Sequence, residues 1–357
     1  MPGSGNQHRP ADWGCITDVP GVRVGVETDL RALTGLAVVL FDGGAVGAVS
    51  VLGGAPGTSG TDPLRPLQNN QELHAVVLTG GSAFGLASLS GVMRFLDERG
   101  VGVQTRTVRV PIVAGAVVYD LGVGDPRVRP DEGMGYRAAS SASGQPVPCG
   151  NSGPGAGATT GKWRGGVRLK GGLGAASLRL PGGIVVGALV AVNAIGDGVN
   201  PRTGRFYATH GGFHESPIAA IEDWSAARGF LYPPSVPETA VENTTIGLIA
   251  TNALLDKTQL SRVVTQAHDG LARAVRPVHT SGDGDTLFAA SVGGAARVDL
   301  RGAVTGVYSD VIGAAAADVV TRAILRAILE AESLPGYPCA RQVYPELGEG
   351  WDLDTER

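Results

Sequence analysis

The chain has 357 residues, 29 Lys plus Arg against 33 Asp plus Glu, and a net charge of −4 at pH 7. That balance excludes the basic excess of a nucleic-acid binder, and 43 % hydrophobic residues with 17 % charged ones exclude disorder for its bulk. Gly (56) and Pro (22) are abundant without a period, the composition of a folded protein with many turns and close backbone contacts.

Residues 1–15 read as a tail, followed by one domain over 16–333 and a second tail over 334–357, rich in Pro, Gly and acidic residues. Leu36 to Phe41 and Val46 to Leu52, separated by Asp42-Gly43-Gly44, read as a hairpin. HAVVLT (His74–Thr79) is a strand, and Gly80-Gly81 leads into a helix that Ser82 is placed to cap. That helix carries Leu86, Leu89, Val92, Met93 and Leu96 on one face and stops at Gly100.

A glycine-dense tract runs from Gly144 to Gly174, then strands are expected over Ala176 to Leu180 and Ile184 to Val192. Residues 197–242 are polar and Pro-rich, too long for an ordinary connection. TTIGLIAT (Thr244–Thr251) is a strand. Asp256 is placed to cap a helix carrying Leu260, Val263, Val264, Ala267, Leu271 and Ala274 at helical spacing. TLFAASV (Thr286–Val292) is a further strand, and Val311 to Leu329 a long helix. Strands interleaved with helices indicate an α/β or α+β fold with buried sheets.

Cys15, Cys149 and Cys339 are far apart and form no CxxC pair, so free thiols in a reducing compartment are expected. No apolar run approaches membrane-spanning length, and the N-terminus lacks a signal's hydrophobic segment. A cytoplasmic protein with no membrane partner is the expectation.

Several motifs fail on inspection. Gly155 to Trp163 is short of a phosphate loop at Ala156 and Trp163. Gly80-Gly81-Ser82 misses the second glycine of a dinucleotide fingerprint, and a nucleophile elbow on Ser82 fails at Phe84. His210 and His214 stand four apart in a Gly-containing loop, a poor metal pair, while His74 and His268 read as hydrogen-bonding residues of core or surface. His279-Thr-Ser-Gly-Asp283-Gly-Asp285 places two carboxylates on a glycine turn. Calcium is conceivable there, but the further ligands of a calcium loop are missing and hydrogen bonding is the favoured role.

Glu242-Asn243-Thr244-Thr245 stands where the Pro-rich segment meets an apolar strand. A threonine hydroxyl is a poor nucleophile unless a base sits beside it, and chain cleavage in front of the threonine frees an α-amine that can be that base. With a reference pKa of about 7.7–8.0, such an amine suits general-base work near neutrality.

At this point the sequence resembles the L-aminopeptidase D-Ala-esterase/amidase (DmpA-like) family of self-cleaving amidohydrolases, which includes β-aminopeptidases and nylon-oligomer endo-hydrolases. The resemblance rests on GGAPGT (Gly53–Thr58) followed by Asp62-Pro63, LTGGSAFGL (Leu78–Leu86) and GVMRFLDERG (Gly91–Gly100). PIVAGAVVYDL (Pro111–Leu121), GAGATTGKW (Gly155–Trp163), KGGLGAAS (Lys170–Ser177) and VAVNAIGD (Val190–Asp197) follow. NTTIGLIATNA (Asn243–Ala253) and HTSGDGDTLFA (His279–Ala289) complete the ordered set, which spans about residues 16–330.

The resemblance implies a four-layer αββα sandwich, shared with ornithine acetyltransferase, cut between Asn243 and Thr244 into residues 1–243 and 244–357. It implies Thr244 as nucleophile and, through its freed amine, as base. Lys162 would keep that amine neutral, Asn193 would stabilise the oxyanion, Asp283 and Asp285 would orient the nucleophile, and Tyr119 would be a further donor. The substrate would be a small peptide or amide. No cofactor and no metal are needed, and a homo-oligomer of four processed units is expected. The sequence departs from the aminopeptidase pattern in using threonine rather than serine, and in lacking an acidic residue just before Tyr119; Asp120 is the nearest candidate to hold a substrate amine. An acyltransferase using the same threonine is the alternative.

Overall fold

A computed structural model describes residues 13–163, 168–209, 243–292, 298–299 and 307–348. Its main elements are β1 (Val22–Asp29), β2 (Thr34–Val51), β3 (Leu73–Thr79), α1 (Ser88–Asp97), β4 (Val113–Val117) and α2 (Glu132–Ser141). The chain continues through β5 (Gly172–Leu180), β6 (Ile184–Asn193), β7 (Thr244–Thr251), α3 (Lys257–Ala274), β8 (Thr286–Val292) and α4 (Val307–Leu329).

The expected hairpin at Asp42-Gly43-Gly44 is instead one long strand, β2, with a register shift between Leu40 and Ala45. Each half has other partners. Residues 34–41 pair antiparallel with β1 on one side, and residues 36–40 with β3 on the other. Residues 45–51 pair antiparallel with β8. Gly43 and Gly44 take φ of +76° and +79°, a conformation glycine enters without steric cost, and the strand bends there from one sheet into the next.

Nine strands are hydrogen-bonded in one continuous path, β5–β6–β7–β8–β2–β3–β4 with Thr58–Ser59 at the β4 edge and β1 on β2. The long β2 divides it into a first sheet, β1–β2–β3–β4, and a second, β5–β6–β7–β8–β2. Side chains that alternate along each strand divide between separate cores. Leu36, Val38 and Leu40 of β2 pack with Leu89, Val92, Phe95 and Leu96 of α1 and with Met134 and Ala138 of α2. Ala37, Val39 and Phe41 face Leu189, Ile246, Leu248 and Phe288 of the second sheet. The opposite face of that sheet, with Val186, Val190 and Leu287, packs on Val263 and Leu271 of α3 and Val320 and Ile324 of α4. Three apolar interfaces between four layers make the αββα sandwich. Helices α1 and α2 cross closely because a β-carbon on Gly91 would lie 1.9 Å from the Glu132 carbonyl oxygen, and one on Gly135 2.0 Å from that of Ser88.

Strand β8 spans the expected residues from end to end, and β7 does likewise. Helix α3 starts with the expected cap: Asp256 accepts from the Gln259 amide at 2.8 Å, and Gln259 accepts from the Asp256 amide at 3.0 Å. Asp256→Ala should lower stability by about 1 kcal/mol, read as a shift in urea midpoint without a change in slope. Ser82 does not cap α1. It sits at φ +52° at the head of a 3-10 turn, Ser82–Ala87, and the α-helix begins only at Ser88. On α1 Phe95 is buried in the core, whereas Met93, expected on the apolar face, is exposed.

The two expected tails are partly built into the domain. Trp13 and Cys15 are buried, as are Cys339, Ala340 and Leu347, and the Lys170 amide donates to the Pro338 carbonyl at 2.9 Å. Residues 1–12, the stretch 210–242 with His210 and His214, and residues 349–357 lie outside the described residues. No described helix is long and apolar enough to cross a membrane.

Candidate active site

The last pair in the β6–β7 register is Asn193 with Thr244, and Asn243 forms a parallel bridge with Asp283. The end of β6, the start of β7 and the turn before β8 thus meet at the Asn243–Thr244 peptide. Both residues are buried. The Thr244 hydroxyl donates back to the Asn243 carbonyl oxygen, and the Gly284 amide donates to the same oxygen at 2.9 Å. A hydroxyl and a peptide N–H therefore converge on the carbonyl in front of the threonine. Gly284 has to be small, since a β-carbon there would stand 2.8 Å from Thr244 Oγ1 and 2.7 Å from the Ala55 carbonyl.

Both aspartates of the turn are buried. Asp285 accepts from the Thr245 amide at 2.7 Å through Oδ1, and from the His279 amide at 3.0 Å through Oδ2. Asp283 accepts from the Ile195 amide at 3.1 Å, and from the Thr280 hydroxyl and amide at 2.6 and 3.2 Å. Gly53 closes the turn from behind, where a β-carbon would meet the Asp285 nitrogen at 2.2 Å.

Burial pushes the Asp283 carboxyl up to about 6, with the Asp285 carboxylate adding to the rise and the Thr280 and Ile195 donors opposing it. A carboxyl whose folded value exceeds its unfolded value of about 3.9 holds its proton longer when folded. Native stability should therefore fall as pH rises from about 4 to about 6. Asp283→Asn should flatten that slope in urea midpoints measured across the interval.

On the other side, Asn193 is fully buried at the end of β6. Its Oδ1 accepts from the Thr159 amide at 2.9 Å and from Lys162 Nζ at 3.0 Å, and its Nδ2 donates to the Tyr119 carbonyl at 3.0 Å. Donors on one side and a carbonyl on the other fix which way the amide points. Lys162 Nζ also reaches the Asn193 carbonyl at 3.2 Å. Asn193, Lys162 and Tyr119 form one group beside Thr244, and Asp283 joins it through the Ile195 amide. Tyr119 enters this group by its backbone carbonyl.

A sequence profile described as Peptidase family S58 matches residues 14–341. The chain belongs to peptidase family S58. A protein of Mycobacterium tuberculosis (strain ATCC 25618 / H37Rv) described as an uncharacterized aminopeptidase is 41 % identical over 350 residues, covering 92 % of this chain and 98 % of that protein. The 6-aminohexanoate-oligomer endohydrolase of Paenarthrobacter ureafaciens is 32 % identical over 321 residues, 87 % of this chain and 84 % of the enzyme. Among solved structures, a β-aminopeptidase of Burkholderia sp. superposes with a TM-score of 0.66 at 23 % identity over 96 % of both chains. The L-aminopeptidase D-Ala-esterase/amidase of Ochrobactrum anthropi, described as a variant of the Ntn hydrolase fold, gives 0.67 at 22 % identity over 98 % and 97 %. These two share the fold. Membership of S58 makes this chain a hydrolase of peptide or amide bonds.

Sequence reasoning misses one buried charge of the S58 chain, Lys170, and gives another, Asp120, a different role. Lys170 is fully buried, and its Nζ donates to the carbonyls of Gly155, Ala156 and Ala158 at 2.8, 3.0 and 2.6 Å. Burial draws its ammonium down to about 7, opposed by the Asp120 carboxylate. The loop it grips carries Thr159 and Lys162 to Asn193. Asp120 is not placed to hold a substrate amine. It is buried, accepting from the Thr34 hydroxyl at 2.6 Å and the Gly81 amide at 2.7 Å, and burial raises its carboxyl above the ordinary range. Nothing in the KGGLGAAS or VVYDL stretches signals that either charge is internal.

Proposed function

We propose that this S58 hydrolase is made as a precursor that cuts itself between Asn243 and Thr244 and then uses Thr244 as an N-terminal nucleophile on small amides. One observation carries the reading. The Thr244 hydroxyl lies on the carbonyl of the residue before it, and the Gly284 N–H donates to that same oxygen. Attack of Oγ1 on the Asn243 carbonyl carbon places negative charge on an oxygen that already has a donor. Collapse breaks the C–N bond as the proton lost from Oγ1 passes to the departing nitrogen, which leaves an Asn243 ester on Thr244 and a free α-amine, and water then hydrolyses the ester. The freed amine has the pKa range of a general base at neutral pH. In each later turnover Oγ1 attacks a substrate carbonyl, the amine passes the proton to the leaving nitrogen, and water releases the acyl group.

In this reading Asn193 supplies Nδ2–H to the substrate oxyanion, and Lys162 orients Asn193 while its charge disfavours protonation of the neighbouring α-amine. Asp283 and Asp285 hold the turn and the Thr245 amide against the nucleophile. The substrates in this reading are short peptides, β-peptides or ω-amino-acid oligomers; relatives described as an uncharacterized aminopeptidase and a 6-aminohexanoate-oligomer endohydrolase support the first and the last. Transfer of the acyl group to an amine instead of water would make the protein an acyltransferase.

Intact mass spectrometry of the purified protein tests the first half: two pieces are expected, the smaller beginning at Thr244. Incubation with leucine amide and with 6-aminohexanoate trimer tests the second, with free acid as the product. A single chain that stays uncut and hydrolyses neither would overturn the proposal. Acyl transfer to added ornithine, outrunning hydrolysis, would reassign it.

A further inference from the structure

The turn that presents the two aspartates is held by a histidine to which the mechanism above gives no role. The His279 ring donates from Nδ1 to Asp285 Oδ2 at 2.8 Å, and its own amide donates to the same oxygen at 3.0 Å. The other oxygen of that carboxylate accepts the Thr245 amide. A single carboxylate thus spans from His279 to the peptide that follows Thr244. The next residue, Thr280, grips Asp283 in the same way, by hydroxyl and amide.

Two further observations show that His279 is held for this contact. Its backbone is left-handed, at φ +55°, a conformation costly for a residue with a β-carbon and one that accumulates at functional sites. Its ring is also backed by His268 of α3, edge to face at 4.9 Å between centroids. His268 donates from Nε2 to the Ser50 carbonyl at 3.2 Å, and burial together with the His279 charge draws it down to about 4, so it stands there as a neutral wall. The titratable groups shown against the His279 ring are Asp285 on its own turn and His268 on α3.

We propose that His279 is a positioning residue for the chemistry at Thr244, acting through Asp285 to fix the rotation of the Thr244–Thr245 peptide and hence the direction of the Thr244 hydroxyl. The proposal rests on the reading of Thr244 as the nucleophile. Without the ring, Asp285 Oδ2 keeps only a backbone donor, the carboxylate turns, and the peptide it holds turns with it. Misplacement of a reacting group by about 1 Å costs on the order of 100-fold in rate.

The test compares His279→Phe, His279→Ala and His279→Asn in the full-length protein. Phenylalanine keeps the packing against His268 but has no donor. Asparagine keeps a donor at the Nδ1 position and tolerates a left-handed backbone. Expected is a fall of about 10- to 100-fold in both the self-cleavage rate and kcat for Phe and Ala, with KM within about threefold of wild type, and recovery to within about fivefold for Asn. If the alanine variant does not fold, the Phe and Asn pair carries the comparison. Wild-type rates in the Phe variant would overturn the proposal, as would an Asn variant as slow as Phe at equal thermal stability. A wild-type protein that is never cut, with activity surviving Thr244→Ala, would instead remove the nucleophile reading beneath it.

Discussion

Thr244→Val is expected to yield one uncut 36.3 kDa chain with amide hydrolysis reduced by at least about 10⁴-fold, the scale set by removing the nucleophile of other covalent hydrolases. Valine is the informative replacement. It keeps the β-branched shape and the strand preference at the first residue of β7, and removes only the hydroxyl. Circular dichroism and the urea midpoint should stay near the precursor's own. Thr244→Ser restores a hydroxyl on a side chain without the methyl that restricts χ1, so cutting and turnover should return at a reduced rate. Mass spectrometry reads the cut and an amidase assay reads the turnover. A valine variant that still splits before residue 244 would show that another protease, or another nucleophile, makes the cut.

The second large effect lies away from the scissile bond. Lys170→Met should destabilise the fold by roughly 3–5 kcal/mol, because three buried carbonyls lose their donor and the Asp120 carboxylate loses the cation beside it. The side chain that replaces it is close in length, so the loss reflects polar groups left without partners rather than a cavity. The loop over 155–162 should loosen first, carrying the Thr159 amide and Lys162 away from Asn193. Self-cleavage of whatever material folds should slow with it. An unchanged urea midpoint would mean that the loop carbonyls find water and that Lys170 contributes little.

Where the sequence was legible, the elements were bounded by chemistry as well as by pattern. Strand β8 lies between an aspartate turn and glycines, β7 starts at a polar junction, and α3 opens on an aspartate three residues before a glutamine. For the candidate site, the junction at Asn243-Thr244 draws attention by itself, while Lys162, Asn193, Asp283, Asp285 and Tyr119 enter only through the family resemblance; the fold gathers them at the ends of β6 and β7 and the turn before β8. The rest depended on partners distant in sequence. Whether Asp42-Gly43-Gly44 turns or bends is decided by β1, β3 and β8, which claim the two halves of β2 separately. The roles of Lys170, which carries no sequence signal, and of Asp120, which the sequence offers for a substrate amine, depend on burial, a property of the layers around them. Ser82 does not cap because it opens a 3-10 turn, its amide donating to the Val118 carbonyl at 3.0 Å.

The strand order of the second sheet bears on the two-piece protein that the proposed cut would yield. Strands β7 and β8 follow Thr244 in sequence, yet they are flanked by β6 on one side and β2 on the other, both of which precede it. After the proposed cleavage the two polypeptides would be dovetailed, each side of the insert secured by a ladder of backbone hydrogen bonds. They could not part on dilution without dismantling the sheet, so exchange between copies would be as slow as unfolding itself. Once denatured, the two pieces must find each other in a bimolecular step that the uncut precursor never faces. The protein would thus assemble easily once and reassemble poorly, with its working lifetime set by an unfolding barrier rather than by an equilibrium.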